Sequence, residues 1–250
     1  MIVLAILFAA LGTADVIRSL PRGNAWSFVA GGAVVLALGL TSNAGWWLLL
    51  DAAVVAGWLV LTRESASRRE GYWALALLGA AALSIVAVGG LLPVTGGPLA
   101  QWYEQLPFAG LSGISVTTFA LAAGSVLLLI GTANVIVRIA LTRMKTDDPP
   151  ESDAVERTRF GWRRKPVVVP PAAVLRGGRL IGPLERVFLF ALAMAGQFVA
   201  IGAIVAAKGI IRFPEISKDD AGGSKAEYFL IGSLTSWATV LVAVVLVRLA

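Results

Sequence analysis

Two aspartates of this 250-residue chain lie inside long apolar runs, where a charged side chain is costly. Asp15 precedes Arg18 by three residues, so the two side chains can meet on one face of a helix. This spacing predicts either an ion pair at a membrane edge or a site for a proton or a cation. Asp51 lies one helical turn after Trp47, with no cation near it in the sequence. It therefore needs a partner from another helix, a water-filled pocket or a proton.

Two amides are further candidates for binding an ion or a ligand. Asn134 lies in GTANVI at 131–136, which echoes GTADVI at 12–17. An arginine follows each copy, and parallel repeats can build a transporter around a shared site. Gln197 is expected near the middle of an apolar helix, where an amide can hydrogen-bond to a neighbouring helix. Small residues that would let such a neighbour approach recur along the same stretch: Ala193, Gly196, Ala200, Ala203 and Ala207.

The residue types that are missing exclude much of enzyme chemistry. The chain has no histidine and no cysteine, which excludes thiol and Ser/His nucleophiles, disulfides and nearly every zinc site. A membrane enzyme acting on lipid would need an acid/base set, and the apolar runs offer only scattered carboxylates. We therefore expect no enzyme, no cofactor and no metal centre.

The composition indicates which solvent the chain folds in. Hydrophobic residues make up 58% of the sequence and charged residues 14%, whereas a soluble domain carries about a quarter charged residues. The net charge of +6 does not indicate a nucleic-acid partner, because the basic residues cluster beside apolar spans. The sequence predicts an all-α bundle of transmembrane helices in a prokaryotic cell membrane.

About seven spans are expected from the apolar runs, each near the length that crosses a bilayer core of about 30 Å. The fifth is long enough to be one tilted helix or a helix preceded by an interfacial turn near Gly110 and Gly113. The predicted spans are 2–17, 25–41, 46–62, 72–92, 109–136, 187–207 and 228–247.

Basic residues predict which way these spans run. Nothing basic precedes the first span, which favours a helix with its N-terminus outside over a cleaved signal peptide. Most of the Lys and Arg residues then fall in the inner loops 18–24, 63–71 and 142–186, and the C-terminus is expected in the cytoplasm. One loop disagrees: 208–227, predicted outside, contains Lys208, Arg212, Lys218 and Lys225.

Three regions are expected along the chain. Residues 1–142 form a five-helix membrane region, 143–183 a cytoplasmic linker rich in Pro and Arg, and 184–250 a helical hairpin. Within the linker, basic residues beside an aromatic one are typical of contact with anionic lipid headgroups: Trp162, Arg163, Arg164 and Lys165. A protein partner on this cytoplasmic segment is the alternative.

The last 70 or so residues contain charged and small residues at distinctive spacings. They are Gly178, Arg179, Ile181, Gly182, Leu184, Glu185, Arg186, Gln197, Lys208, Arg212, Phe213, Glu215, Ala226, Glu227, Tyr228 and Gly232. This pattern resembles the C-terminal module of a family of uncharacterised prokaryotic membrane proteins. The resemblance implies that the last two spans form one unit, and it implies no chemistry. Some of those proteins have histidines in an N-terminal membrane region, which this chain lacks.

Charges near both ends of this hairpin predict structural pairing. Glu185 and Arg186 are expected at the inner end of the sixth span. We expect Lys208 or Arg212, at its outer end, to pair with Glu227 across the hairpin.

Two functions fit these observations. The first is binding or passage of a small solute or an ion through the bundle, with Asp15 and Asp51 as the main polar groups. The alternative is a non-catalytic membrane subunit that holds a partner through the segment 143–186. A transporter requires that one of the two aspartates face a water-accessible cavity.

Overall fold

The fold was analysed in a computed structural model of the chain. It describes residues 1–21, 23–42, 45–63, 66–89, 97–111, 113–142, 178–216 and 224–250, and these form helices without any strand. The helices are α1 (Ile2–Arg18), α2 (Gly23–Thr41), α3 (Trp47–Leu61), α4 (Arg68–Val88), α5 (Pro98–Glu104), α6 (Val116–Ile130), α7 (Thr132–Leu141), α8 (Gly178–Met194), α9 (Phe198–Ile216) and α10 (Ser224–Arg248), with a short 3-10 turn at Ala109–Leu111.

Three of these helices are long and apolar enough to cross a membrane. They are α2, α4 and α10, and the bent pair α6–α7 is a fourth if it counts as one span. Large apolar side chains also cover the outside of the bundle, including Leu83, Ile210 and Ile211, each more than 70% exposed. Such a surface is stable against lipid chains and not against water. The fold is that of a membrane protein.

Helix α1 forms the centre of the bundle, packed mainly between α2, α3 and α6. Small residues allow this: Gly12 lies directly against the backbone of Leu127 and Leu128, and Gly124 against that of Ala5. A side chain at either glycine would collide with main-chain atoms. Close backbone approach at small residues is how helices associate in lipid, where there is no hydrophobic driving force between them.

Local signals explain where several helices begin. Ser67 and Glu70 form a capping box that starts α4 at Arg68, a turn before the predicted start at residue 72. Pro98 occupies the first turn of α5, and the Ser115 hydroxyl accepts a hydrogen bond from the Thr118 amide at the start of α6. A turn precedes α6, as in the second of the two alternatives for the fifth span, and its place at the membrane interface stays a prediction.

A bend in the fifth span was not expected from the sequence. Helices α6 and α7 meet at Gly131 with an angle of 45° between them. Gly131 packs against the backbone of Gly12, which leaves no space for a side chain. The two glycines are equivalent positions in the GTADVI and GTANVI echo, so the echo marks a contact between α1 and the α6–α7 bend.

The predicted sixth span at 187–207 is wrong as a continuous helix. Helix α8 ends at Met194, and α9 begins at Phe198. Gly196 between them has φ of +71°, a left-handed conformation that favours glycine and ends the helix. Helix α8 also begins at Gly178, so the predicted linker ends earlier than residue 183.

Candidate functional site

The carboxylate of Asp15 lies in a buried polar cluster between α1 and α3. Arg18 Nη2 is 2.6 Å from Asp15 Oδ1, which confirms the predicted pair, and Trp58 Nε1 donates to Oδ2 at 2.9 Å. Arg18 also donates to Thr62 Oγ1 at 2.9 Å. Asp15 is 5% exposed. Both oxygens therefore already have strong donors, and the ion pair within α1 is joined to α3 by the hydrogen bonds to Trp58 and Thr62.

The α6–α7 bend brings a second polar group beside this cluster. Thr132, the first residue of α7, is fully buried, and its hydroxyl lies beside the Asp15 carboxylate, to which it can donate a hydrogen bond. Arg138, one and a half turns further along α7, is close enough to act electrostatically on Asp15.

Arg186 on α8 fills the other side of the bend. Its Nε donates to the Leu129 carbonyl at 2.8 Å and its Nη1 to Ser236 Oγ at 3.3 Å, while its Nη2 donates to Asn134 Oδ1. The carbonyls in the last turn of a helix lack intrahelical donors, and α6 ends at Ile130. Arg186, 2% exposed, therefore caps α6 with a positive charge at the negative end of the helix.

Asn134 is occupied by the same arrangement. Its Nδ2 donates to the Ile130 carbonyl at 3.0 Å, while its Oδ1 accepts from Arg186. The side chain thus ties both halves of the bend together. The amide nitrogen and the amide oxygen of Asn134 are thus already used in hydrogen bonds within the bend.

Glu185 and Lys208 form an ion pair between α8 and α9. Lys208 Nζ lies 2.7 and 2.8 Å from the two carboxylate oxygens, and Trp237 Nε1 on α10 donates to Oε1 at 3.1 Å. Of the two predicted partners of Glu227, Lys208 is wrong, because the turn at Gly196 brings it back beside Glu185. The pairing of Arg212 with Glu227 stays a prediction. Glu227 is exposed.

Asp51 differs from every other charged group in the described part of the bundle. It is fully buried, and neither carboxylate oxygen has a hydrogen-bond partner among the described residues. On either side of Asp51, α3 contacts α2: Leu48 lies against Gly39, and Val55 lies against Gly31. This register places Asp51 level with Val35 of α2. Its surroundings on α2 are therefore apolar.

Gln197 does not lie within a helix as the sequence predicted. It lies in the turn between α8 and α9, where its side chain is exposed and its backbone amide donates to the Leu192 carbonyl at 2.8 Å. The stripe of small residues is split by the same turn, and Ala203 and Ala207 are exposed. The predicted headgroup contact at 162–165 lies outside the described residues.

An open pocket of about 520 Å³ lies away from all of these groups. Residues between Ala100 and Val116 line it, including Tyr103 and Glu104. Neither Asp15 nor Asp51 contributes to its wall. The cavity that would support transport is therefore not found at this pocket.

Across the described ranges, no group of three or more Asp and Glu residues is arranged to hold a metal ion. Comparisons with family models, with curated proteins and with solved structures found no match to this chain. The resemblance of the last 70 residues stays a prediction.

Sequence reasoning missed the partners that complete these clusters. They are Trp58, Thr62, Thr132, Ser236 and Trp237. The tryptophans had a usable signal, since a buried indole N–H usually finds an acceptor and the apolar runs offer few. The Ser and Thr residues had none, because such residues are common in membrane helices and bond to their own backbone.

Proposed function

We propose that this chain is a non-catalytic integral membrane protein that binds a proton or a small cation inside its helix bundle and passes it across the membrane. The observation that carries the proposal is Asp51, a fully buried carboxyl group whose two oxygens lack hydrogen-bond partners in the described structure. An isolated carboxylate in an apolar setting costs several kcal/mol. A bound proton or a bound cation removes that cost.

Asp51 supports the proposal better than the other predicted ligands. Asp15 already has Arg18 and Trp58, and Asn134 already has Arg186. Gln197 is exposed in a turn. Among the four candidates, Asp51 alone is a buried carboxyl group whose oxygens have no donor among the described residues.

The α6–α7 bend gives a second line of support. A broken helix beside α1, with Thr132 next to Asp15, is a polar region within the bundle. Discontinuous helices of this type surround the ion sites of secondary transporters.

The proposal includes a membrane orientation. We propose that α1 begins outside a prokaryotic plasma membrane, because most of the basic residues then face the cytoplasm. On this orientation, the basic segment 143–177 meets the anionic headgroups of the inner leaflet near Trp162 and Lys165.

A membrane subunit without transport activity is the second candidate. It is favoured by the burial of both aspartates and by their absence from the wall of the open pocket. In such a protein Asp15 holds α1 to α3, and the segment 143–177 binds a protein partner.

The thermal stability of the purified chain distinguishes the two functions. We expect the melting temperature of wild type to depend on pH or on one of Li⁺, Na⁺, K⁺, Mg²⁺ and Ca²⁺, and Asp51→Asn to lose that dependence while staying folded. Ser125→Ala is the matched control, because Ser125 is also buried with an unpartnered oxygen but has no charge to neutralise. It should keep the wild-type response. If the melting temperature of wild type depends on neither pH nor any of these cations, and Asp51→Asn behaves the same way, the ion-binding function is wrong. The membrane-subunit function is then the one supported.

A further inference from the structure

The chain reverses direction between α8 and α9. A straight helix would separate residues 185 and 208, which are 23 positions apart, by about 34 Å. Instead Lys208 Nζ lies 2.7 Å from Glu185 Oε2. The reversal lies midway, at the left-handed Gly196, so α8 and α9 are the two antiparallel arms of one hairpin.

Helix α10 runs parallel to α8. Trp237 donates to Glu185, and eleven residues later Arg248 donates to the carbonyls of Ala193 and Met194 at 3.2 and 3.4 Å. The end of α10 therefore lies beside the turn of the hairpin. The start of α10 lies at the opposite end, where α8 begins and α9 finishes.

The bend region fixes how these helices run relative to α7. Gly182 of α8 lies near Asn134, and Arg186, one turn later, contacts the earlier residue Leu129. Helix α8 is therefore antiparallel to α6–α7. Gly232 of α10 packs against Leu141 at the end of α7. The end of α7, both open ends of the hairpin and the start of α10 thus share one end of the bundle.

Helix α1 runs in the same direction as α6–α7. Gly124 packs against Ala5, and further along Gly131 packs against Val16. The start of α1 is therefore at the end of the bundle that holds the hairpin turn and the end of α10.

We infer that the α8–α9 hairpin starts and finishes on the cytoplasmic face of the membrane, so that the segment 208–225 joins the basic segment 143–177 there and α10 ends outside. The inference rests on the proposed membrane orientation and not on cation binding. It places Lys208, Arg212, Lys218 and Lys225 on the inner face, as the positive-inside rule favours, and leaves Arg248 as the one basic residue of α10 at its outer end.

Single cysteines test this placement, because the natural chain has none. The variants are Asn43→Cys, Ser152→Cys, Ala221→Cys and Ala250→Cys, each in the full chain, probed in intact cells with a membrane-impermeant maleimide. We expect labelling at 43 and 250, and at 152 and 221 only after the cells are permeabilised. Labelling of every variant after permeabilisation is the control for expression.

Two other patterns would each overturn one part of the argument. Labelling of 221 together with 43, and protection of 250 together with 152, would overturn the hairpin inference and restore a single sixth span. Labelling of 152 and 221 with protection of 43 and 250 would support the hairpin and overturn the proposed orientation instead.

Discussion

Lys208 Nζ contacts both carboxylate oxygens of Glu185, at 2.7 and 2.8 Å, although 23 positions separate the two residues in the chain. The pair holds α9 against α8, and the Trp237 indole joins α10 to the same carboxylate. Helices α8, α9 and α10 therefore meet at the side chain of Glu185.

Breaking this pair should destabilise the last three helices. Glu185→Lys and Lys208→Glu should each cost about 2 kcal/mol, since a hydrogen-bonded charge loses its partner in a partly buried site. The double reversal should recover only part of the loss, because Trp237 then has no acceptor and Lys at 185 is next to Arg186. The measurement is thermal unfolding in detergent.

Glu227 provides the control for this experiment. It is exposed, so Glu227→Lys should change stability by no more than about 0.5 kcal/mol. Equal losses from Glu227→Lys and Glu185→Lys, or strictly additive losses in the double reversal, would show that Lys208 does not pair with Glu185.

Asp15 and Asp51 should respond in opposite ways to the same substitution. Asp15→Asn removes the charge that holds Arg18, and we expect it to lower stability by about 1–3 kcal/mol while leaving any cation response intact. Asp51→Asn removes a costly buried carboxyl group, so stability should stay equal or rise while the cation response disappears. The check is the melting temperature of both variants with and without the cation that shifts wild type. Loss of the response in Asp15→Asn alone would move the binding site to α1.

Contact between α1 and α6 should be intolerant of one methyl group. Gly12→Ala forces a side chain into the backbone of Leu127 and Leu128, and overpacking of this kind costs about 1–3 kcal/mol. Gly32→Ala is the matched control, because no atom lies within 4 Å of the added methyl and alanine favours the helix by up to about 1 kcal/mol. Thermal unfolding of both should show loss for the first and none for the second. A Gly12→Ala protein as stable as Gly32→Ala would mean that the two helices are further apart.

The sequence by itself determined the solvent and the helical class of this protein. Apolar runs of span length have no alternative in lipid but to bond their backbone internally, so the helices at α2, α4 and α10 followed from composition. The Asp15–Arg18 pair was predictable as well, because both residues lie on one turn of one helix.

Only the tertiary structure decided which helices meet and where they break. A single φ of +71° at Gly196 reversed the chain, and an apolar run rich in Ala and Gly looks the same with or without such a turn. Because of that reversal, Lys208 pairs with Glu185 and Gln197 is exposed. In the same way, the absence of any hydrogen-bond partner for Asp51 among the described residues depends on neighbours from other helices. Contacts between helices distant in the chain leave no local pattern, since each helix needs only small or apolar residues to make them.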